Sequence, residues 1–136
     1  MQKIFKWFLY VGIVLLAIFI LTRSCGVTVH NTTVVAEDSI RHYYPVLQGQ
    51  VMTLSFNVAN TGDEPLVLTD IQPDAGCISV DGDANNVILP HKYNTLKFKY
   101  NTAKITGLST VNIYLYGNIV PDGLYKLTFD VNVVPP

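Results

Sequence analysis

Apolar and polar side chains alternate strictly in the middle of the chain, from Val51 to Ala59. One side holds Met52, Leu54, Phe56 and Val58, and the other holds Thr53, Ser55, Asn57 and Ala59. Successive side chains of a β-strand point to opposite faces of the sheet, so a period of two predicts a strand with one face in a core.

A turn and a second apolar run follow this strand. Asn60-Thr61-Gly62-Asp63 contains residues that favour tight turns, and Leu66 to Ile71 is the next apolar run. Two runs joined by a short polar loop predict a β-hairpin.

The C-terminal half repeats the alternation. The last predicted strand has Tyr125, Leu127, Phe129, Val131 and Val133 on its apolar side. No segment after Gly26 has a convincing helical period. Short strands separated by turn signals every 8–12 residues or so predict an all-β fold, an immunoglobulin-like β-sandwich.

The N-terminus has a different pattern. Residues 4–22 carry no charge except at Lys6 and are mostly apolar, and a membrane-spanning helix needs about 20 predominantly apolar residues. Lys3 and Lys6 outweigh Arg23 at the other end, and the excess of positive charge favours a cytoplasmic N-terminus. We therefore expect a single transmembrane signal anchor in the inner membrane, with the rest of the chain in the periplasm.

Two alternatives for this segment stay open. A cleaved signal peptide would have a shorter apolar region and a small-residue cleavage site, which the sequence lacks. A lipoprotein would be anchored at Cys25, directly after the apolar run, although Thr22 and Arg23 fit a lipidation signal poorly. The predicted organisation is an anchor at 1–25, an extended stalk or first strand at 26–39, and the sandwich at 40–136.

The charge of the exported part excludes one class of partner. From Gly26 onward, six basic side chains face ten acidic ones, a net charge of −4. Binding to nucleic acid requires clustered Lys and Arg to replace phosphate counterions. We therefore expect no nucleic acid partner.

Several short strings resemble the bacterial family called domain of unknown function 1573, over about Gly49 to Val134. They are F-x-x-x-NTGDEPLVL from Phe56 to Leu68, Gly76-Cys77, Ile88-Leu89-Pro90 and Gly117-Asn118. The resemblance implies an immunoglobulin-like sandwich akin to major sperm protein and the pilus chaperones. It also implies an exported, often membrane-attached protein of a Bacteroidetes-type bacterium.

The family brings no known activity and no catalytic residues. Its members often have two cysteines around a glycine, and here Ala75 occupies the first position. That departure puts in doubt any disulfide or metal function of Cys77. A catalytic thiol would also need a histidine partner, for which His91 is the only candidate. We therefore expect no enzyme activity, and Cys77 is retained only as a candidate thiol site.

Metal ligands are not spaced as known sites require. Asp81 to Asn85 begins like a calcium loop, but Asn86 and Lys92 replace the glycine and glutamate that the loop needs. The three histidines have no zinc-like spacing; they are His30, His42 and His91. We expect neither a metal nor another cofactor.

Two tyrosines and two possible glycosylation triplets are candidates for functions at the surface. Tyr114 and Tyr116 alternate with apolar residues and form either an outward aromatic pair, suited to an interaction surface, or part of a second buried face. Asn31 begins an N-glycosylation triplet, and Ser39 lies in a Bacteroidetes-type O-glycosylation triplet.

The function expected from the sequence is a membrane-tethered, non-enzymatic module that binds another envelope protein. One alternative is a thiol-dependent envelope factor that uses Cys77. The other is a subunit of a surface fibre, in which Gly26 to Ala36 would serve as a donor strand.

Overall fold

The computed structural model describes residues 1–21, 29–82 and 86–136. Cys25 and residues 83–85 of the Asp81 to Asn85 loop lie outside these residues. The described part contains the helix α1 (Gln2–Leu21) and the strands β1 (Val34–Glu37), β2 (Ile40–His42), β3 (Val46–Leu47), β4 (Val51–Asn60), β5 (Leu66–Pro73), β6 (Ile78–Val80), β7 (Val87–Ile88), β8 (Tyr93–Asn101), β9 (Gly107–Gly117) and β10 (Leu124–Val134). The predicted order, an N-terminal helix followed by an all-β domain, is confirmed.

Helix α1 has the length and composition of a membrane span. Its 20 residues have a mean hydropathy of 2.5, and none of them is buried against the domain. At 1.5 Å per residue, the helix is about 30 Å long, which matches the hydrocarbon core of a bilayer. The helix is therefore compatible with a signal anchor or a single-pass membrane helix.

The strands form two sheets. The first has the order β1-β4-β8-β6, and the second has the order β2-β10-β9-β5-β7, with β3 also on β10. Strands β2 and β3 run parallel to β10, whereas the other pairings are antiparallel. One continuous segment thus supplies β1 to the first sheet, then β2 and β3 to the second.

The predicted hairpin between β4 and β5 is wrong. Strand β4 pairs with β1 and β8, and β5 pairs with β7 and β9, so the loop 61–65 crosses from one sheet to the other. Both strands have an apolar face that must be buried. When β4 and β5 lie in facing sheets, their apolar faces fill one shared core. A two-stranded hairpin would leave those apolar faces partly exposed to solvent.

The core lies between the sheets, and the predicted inward faces of β4 and β10 are confirmed. Their fully buried residues are Leu54, Phe56, Val58, Leu127, Phe129, Val131 and Val133. Phe129 forms edge-to-face pairs with Tyr100 and Tyr43, with ring centres 5.3 and 5.9 Å apart. Such aromatic pairs stabilise a core beyond the area they bury.

Segment 26–39 is described from Val29 onward. Its last part forms β1, whose Val34 and Ala36 point into the core of the sandwich. This part of the segment therefore belongs to the chain's own first sheet.

Candidate interaction surfaces

Asn60 closes one end of the sandwich. Its side-chain oxygen accepts hydrogen bonds from the Thr32 hydroxyl at 2.7 Å and from the Gly62 N–H at 3.1 Å. Its side-chain nitrogen donates to the carbonyls of Glu64 and Ile88, at 2.7 and 3.0 Å. The amide thus makes all four hydrogen bonds available to it, and they connect both sheets.

Asn118 has a similar position in the second sheet. Its side-chain nitrogen donates to the carbonyls of His30 at 2.7 Å and Pro65 at 2.8 Å, and its side-chain oxygen accepts from the Val67 N–H at 2.7 Å. Its backbone carbonyl accepts from the Thr32 N–H at 2.8 Å. Asn118 therefore binds both the crossing loop and the segment that precedes β1.

The two asparagines hold segment 30–33, the first part of the domain after the helix. Thr32 also forms a parallel bridge with Ile119, and the Thr61 N–H donates to the Thr33 carbonyl at 2.9 Å. We call the assembly of 30–33, 60–65 and 117–120 the tethered end, because it receives the chain from α1. These hydrogen bonds stabilise the fold, and they fix the point at which the chain that follows α1 joins the sandwich.

Tyr114 and Tyr116 lie half-buried on the outer face of the second sheet, while the intervening Leu115 is fully buried. In the adjacent strand β10, Lys126 pairs in register with Tyr114. Tyrosine is enriched at protein interfaces, whereas lysine is depleted there, so only the aromatic part of this surface favours an interface. Their function as an interaction surface stays a prediction.

Cys77 is a free, half-buried thiol packed against the core. It lies beside a depression of about 440 Å³, lined by residues 76–79, Asn101, Ala103 and Lys104. The neighbouring Tyr100 is buried, which raises the pKa of its hydroxyl; its bond to Ser109 lowers the pKa, and the contact with Cys77 raises it further.

The candidate thiol–imidazole pair does not form. Cys77 lies beside the C-terminal end of β8, because its carbonyl accepts from the Asn101 N–H at 3.0 Å. His91 precedes the other end of β8 and bonds to Asp63 at 2.9 Å. The nine residues of β8 therefore separate them by roughly 30 Å.

The remaining candidates lie apart from one another. Ser39 is half-buried in the turn between β1 and β2, and Asn31 is exposed at the tethered end. Cys25 is outside the described residues. In the described part of the chain, no group of three or more His, Cys, Asp or Glu side chains is arranged to hold a metal ion.

Comparisons with known proteins agree with this architecture. The family described as Protein of unknown function (DUF1573) matches residues 34–133, from the first residue of β1 almost to the end of β10. The chain belongs to the DUF1573 family. No curated protein sequence matches the chain.

Solved structures show the fold of the DUF1573 domain. A Porphyromonas gingivalis W83 protein of unknown function has a TM-score of 0.66 at 11% identity, over 82% of this chain and 51% of its own. The Vibrio cholerae VesB protease has a TM-score of 0.57 at 12% identity, over 74% and 32%. PapD-like domain 7 of human CEP192 has a TM-score of 0.53 at 9% identity, over 78% and 88%.

These likenesses concern the fold alone, which is immunoglobulin-like and PapD-like. The chain spans about half of the P. gingivalis protein and about a third of VesB, so the activity of a whole protein does not transfer from them. In the DUF1573 domain, the NTGDEPL and Gly117-Asn118 strings provide the two asparagines of the tethered end.

Two residues that contribute to these parts of the domain were not predicted from the sequence. In the sequence, Thr32 is only the middle residue of the glycosylation triplet that begins at Asn31, yet in the fold it is buried at 3% exposure. Arg41 was not singled out, although its guanidinium lies 4.9 Å from the ring centre of Phe56. The position of Thr32 opposite the two asparagines depends on distant pairing, and no local pattern indicates it.

Proposed function

We propose that the protein is a membrane-tethered, non-enzymatic module of a bacterial cell envelope, which binds another envelope protein. Helix α1 would cross the inner membrane with its N-terminus in the cytoplasm, and the sandwich would face the periplasm. The observation that carries the proposal is a membrane-length helix without buried residues, joined to an immunoglobulin-like domain.

The distribution of charge supports this orientation. Lys3 and Lys6 lie at the N-terminal end of α1, and Lys and Arg near a span favour the cytoplasmic side. Domains of this fold class bind partners through strand edges and outer faces. The surface around Tyr114 and Tyr116 and the strand edges are therefore the parts of the domain proposed to meet a partner.

Neither alternative gains specific support. The thiol-dependent factor would use Cys77, which is packed against the core and distant from His91. The fibre subunit would donate its N-terminal segment to another copy, whereas β1 is paired with β4 of its own chain.

Site-specific crosslinking in intact cells tests the proposal. A photoreactive amino acid replaces Tyr114, and a matched variant carries it at Val120, an exposed position at the tethered end; mass spectrometry identifies the adducts. We expect crosslinks to a defined envelope protein that differ between the two positions. We also expect the protein in the membrane fraction, with its domain digested by protease added to spheroplasts. Identical crosslink patterns at both positions, or a protected domain, would contradict the proposal.

A further inference from the structure

Part of strand β4 has no neighbour on one side. Strand β1 pairs with β4 only from Asn57 to Asn60, because the chain turns at Asp38, where φ is 51°, and joins β10 as β2. Beyond that turn, β8 is the only partner of β4 in the described part of the chain. We call the stretch from Val51 to Ser55 the bare edge.

The direction of the backbone groups on the bare edge follows from the register. In an antiparallel sheet, alternate residues of a strand direct their N–H and C=O groups to opposite neighbours. The Thr61 N–H bonds to the β1 side, whereas the Asn60 N–H bonds to the β8 side. Because the register of β4 with β8 is unbroken, the N–H and C=O groups of Thr53 and Ser55 point to the bare edge. No other described residue pairs with them there.

An unpaired cation lies at the same opening. Arg41 stands in register with the buried Phe129 and stacks on Phe56 of β4, the residue next to Ser55. Its Nε atom is buried without a hydrogen-bond partner, and among the described residues its guanidinium forms neither a hydrogen bond nor an ion pair. A guanidinium presents its donors in a planar fork that matches a carboxylate.

The space and charge around Arg41 suit an acidic chain. A depression of about 430 Å³ opens beside it, lined by Asp38 and residues 40–43. On the outer face, Lys97 and Lys99 stand in register with Ser55 and Thr53. Lys99 pairs with Asp81 at 3.3 Å, and Lys97 has no ion pair with a described residue.

Asp38 also lines the depression, and the Asp130 carboxylate there bonds to His42 at 2.6 Å. A strand added to the bare edge would lie two strand spacings from β8, roughly 9.6 Å, with β4 between them. Arg41 is therefore the cation at the bare edge itself, and Lys97 and Lys99 add positive charge one strand further away.

We propose that the bare edge is a docking site for an extended peptide segment with acidic side chains. The segment adds to β4 beside Thr53 and Ser55, so that their N–H and C=O groups gain partners, and one of its carboxylates binds the Arg41 guanidinium. Addition of a strand supplies affinity through the main chain, and the charge opposite Arg41 supplies selectivity. This inference rests on the proposed function and assigns it a site and a chemical class of partner.

A purely protective function of Arg41 is the alternative outcome. Inward-pointing charges at strand edges discourage pairing with other chains. Such protection would exclude acidic and basic strands alike, whereas docking requires a preference for the acidic one.

The test uses the full chain in lipid nanodiscs with a strand attached to its C-terminus. A flexible Gly/Ser linker of about 12 residues carries the alternating sequence Thr-Val-Glu-Val-Thr-Val-Glu-Val, which raises its effective concentration toward millimolar. The matched chain has Lys in place of Glu. Amide hydrogen exchange at Thr53 and Ser55 is measured by NMR, and the Leu54 amide, which faces β8, is the internal reference.

We expect exchange at Thr53 and Ser55 to slow about tenfold or more with the Glu strand and less than about twofold with the Lys strand, in line with the affinity of charge-assisted bonds. Arg41→Gln should remove most of this difference. If Arg41→Gln no longer melts cooperatively, Arg41→Lys replaces it and should retain part of the preference.

Equal slowing by both strands, or no slowing by either, would overturn the docking site. That result would leave the proposed function standing, because the cellular crosslinks at Tyr114 concern a different face of the domain. Conversely, an acid-selective edge in a protein that is absent from the membrane fraction, or whose domain is protected from protease in spheroplasts, would support the site and contradict the proposed function.

Discussion

The Thr32 hydroxyl donates to the side-chain oxygen of Asn60 at 2.7 Å, and the two residues are only 3% and 1% exposed. This bond joins the segment that follows the helix to the loop that crosses between the sheets. A buried hydrogen bond between residues 28 positions apart constrains the chain far more than a local turn does. The N-terminal tether is therefore part of the packed domain from Thr32 onward.

Replacement of Asn60 by alanine should be strongly destabilising. The change leaves the Gly62 N–H, the Thr32 hydroxyl and two carbonyls without their partner, and each unsatisfied buried group costs about 1–3 kcal/mol. We expect a loss of about 2–4 kcal/mol in the free energy of unfolding, measured by urea denaturation. Asn132→Ala is the matched control; Asn132 is exposed, and its replacement should change stability by less than about 0.5 kcal/mol. Equal effects would show that the Asn60 network contributes little.

A pair of glycines provides a second test. A Cβ on Gly117 would collide with the Val67 carbonyl oxygen, whereas a Cβ on Gly76 would meet nothing within 4 Å. Gly117→Ala should therefore force the backbones of β9 and β5 apart and cost about 1–3 kcal/mol. Gly76→Ala should be neutral or slightly stabilising, because alanine restricts the unfolded chain. Thermal melts of the two variants give the comparison, and a smaller loss for Gly117→Ala would contradict the close approach.

The period-two patterns were sufficient to predict the strands but not their partners. Alternation assigned the inward faces of β4 and β10 because burial of one face is a local property of each strand. The same local signals predicted a hairpin across Asn60 to Asp63, although the turn crosses between sheets. Whether two consecutive strands pair with each other depends on which other strands cover their apolar faces. That arrangement is set by the whole chain and not by the local sequence.

For the candidate site residues, too, the sequence predicted the residue type but not the surroundings. Cys77, Tyr114 and Tyr116 could be chosen by residue type, but their surroundings came only from the structure. Arg41 illustrates the gap most clearly, because its position on Phe56 depends on the switch of the chain from β1 to β2. A charged residue between the exposed Ile40 and His42 carries no such signal in the sequence.

The reactivity of Cys77 distinguishes a packed thiol from a functional one. In a Cys25→Ser background, a bulky maleimide should label native Cys77 at least about tenfold more slowly than the urea-unfolded chain, because reaction requires an exposed thiolate. Mass spectrometry over time measures both rates. Native labelling as fast as that of the unfolded chain would revive the thiol-dependent alternative. Cys77→Ser, which keeps the size of the side chain, should leave the crosslinks at Tyr114 unchanged.

The buried Tyr100 should make stability fall at alkaline pH. Burial raises the pKa of its hydroxyl, so the unfolded chain loses this proton at a lower pH than the folded protein does. The contribution of Tyr100 to the free energy of unfolding is therefore complete below the pKa of an unfolded tyrosine, about 10. This contribution is lost as the pH rises toward the pKa of the folded protein's Tyr100. Urea unfolding between about pH 8 and 11 measures the decline.

Tyr100→Phe isolates this contribution from the other tyrosines. The variant loses the 2.8 Å bond between the Tyr100 hydroxyl and Ser109, which should cost about 1 kcal/mol at neutral pH. Above pH 10 or so its stability should decline less steeply than that of the parent, since the buried hydroxyl at position 100 is no longer there to ionise. Tyr93→Phe is the control, because Tyr93 is 72% exposed, and its pH profile should parallel that of the parent. If Tyr100→Phe also ran parallel to the parent, ionisation of the buried hydroxyl would not be the cause of the alkaline loss.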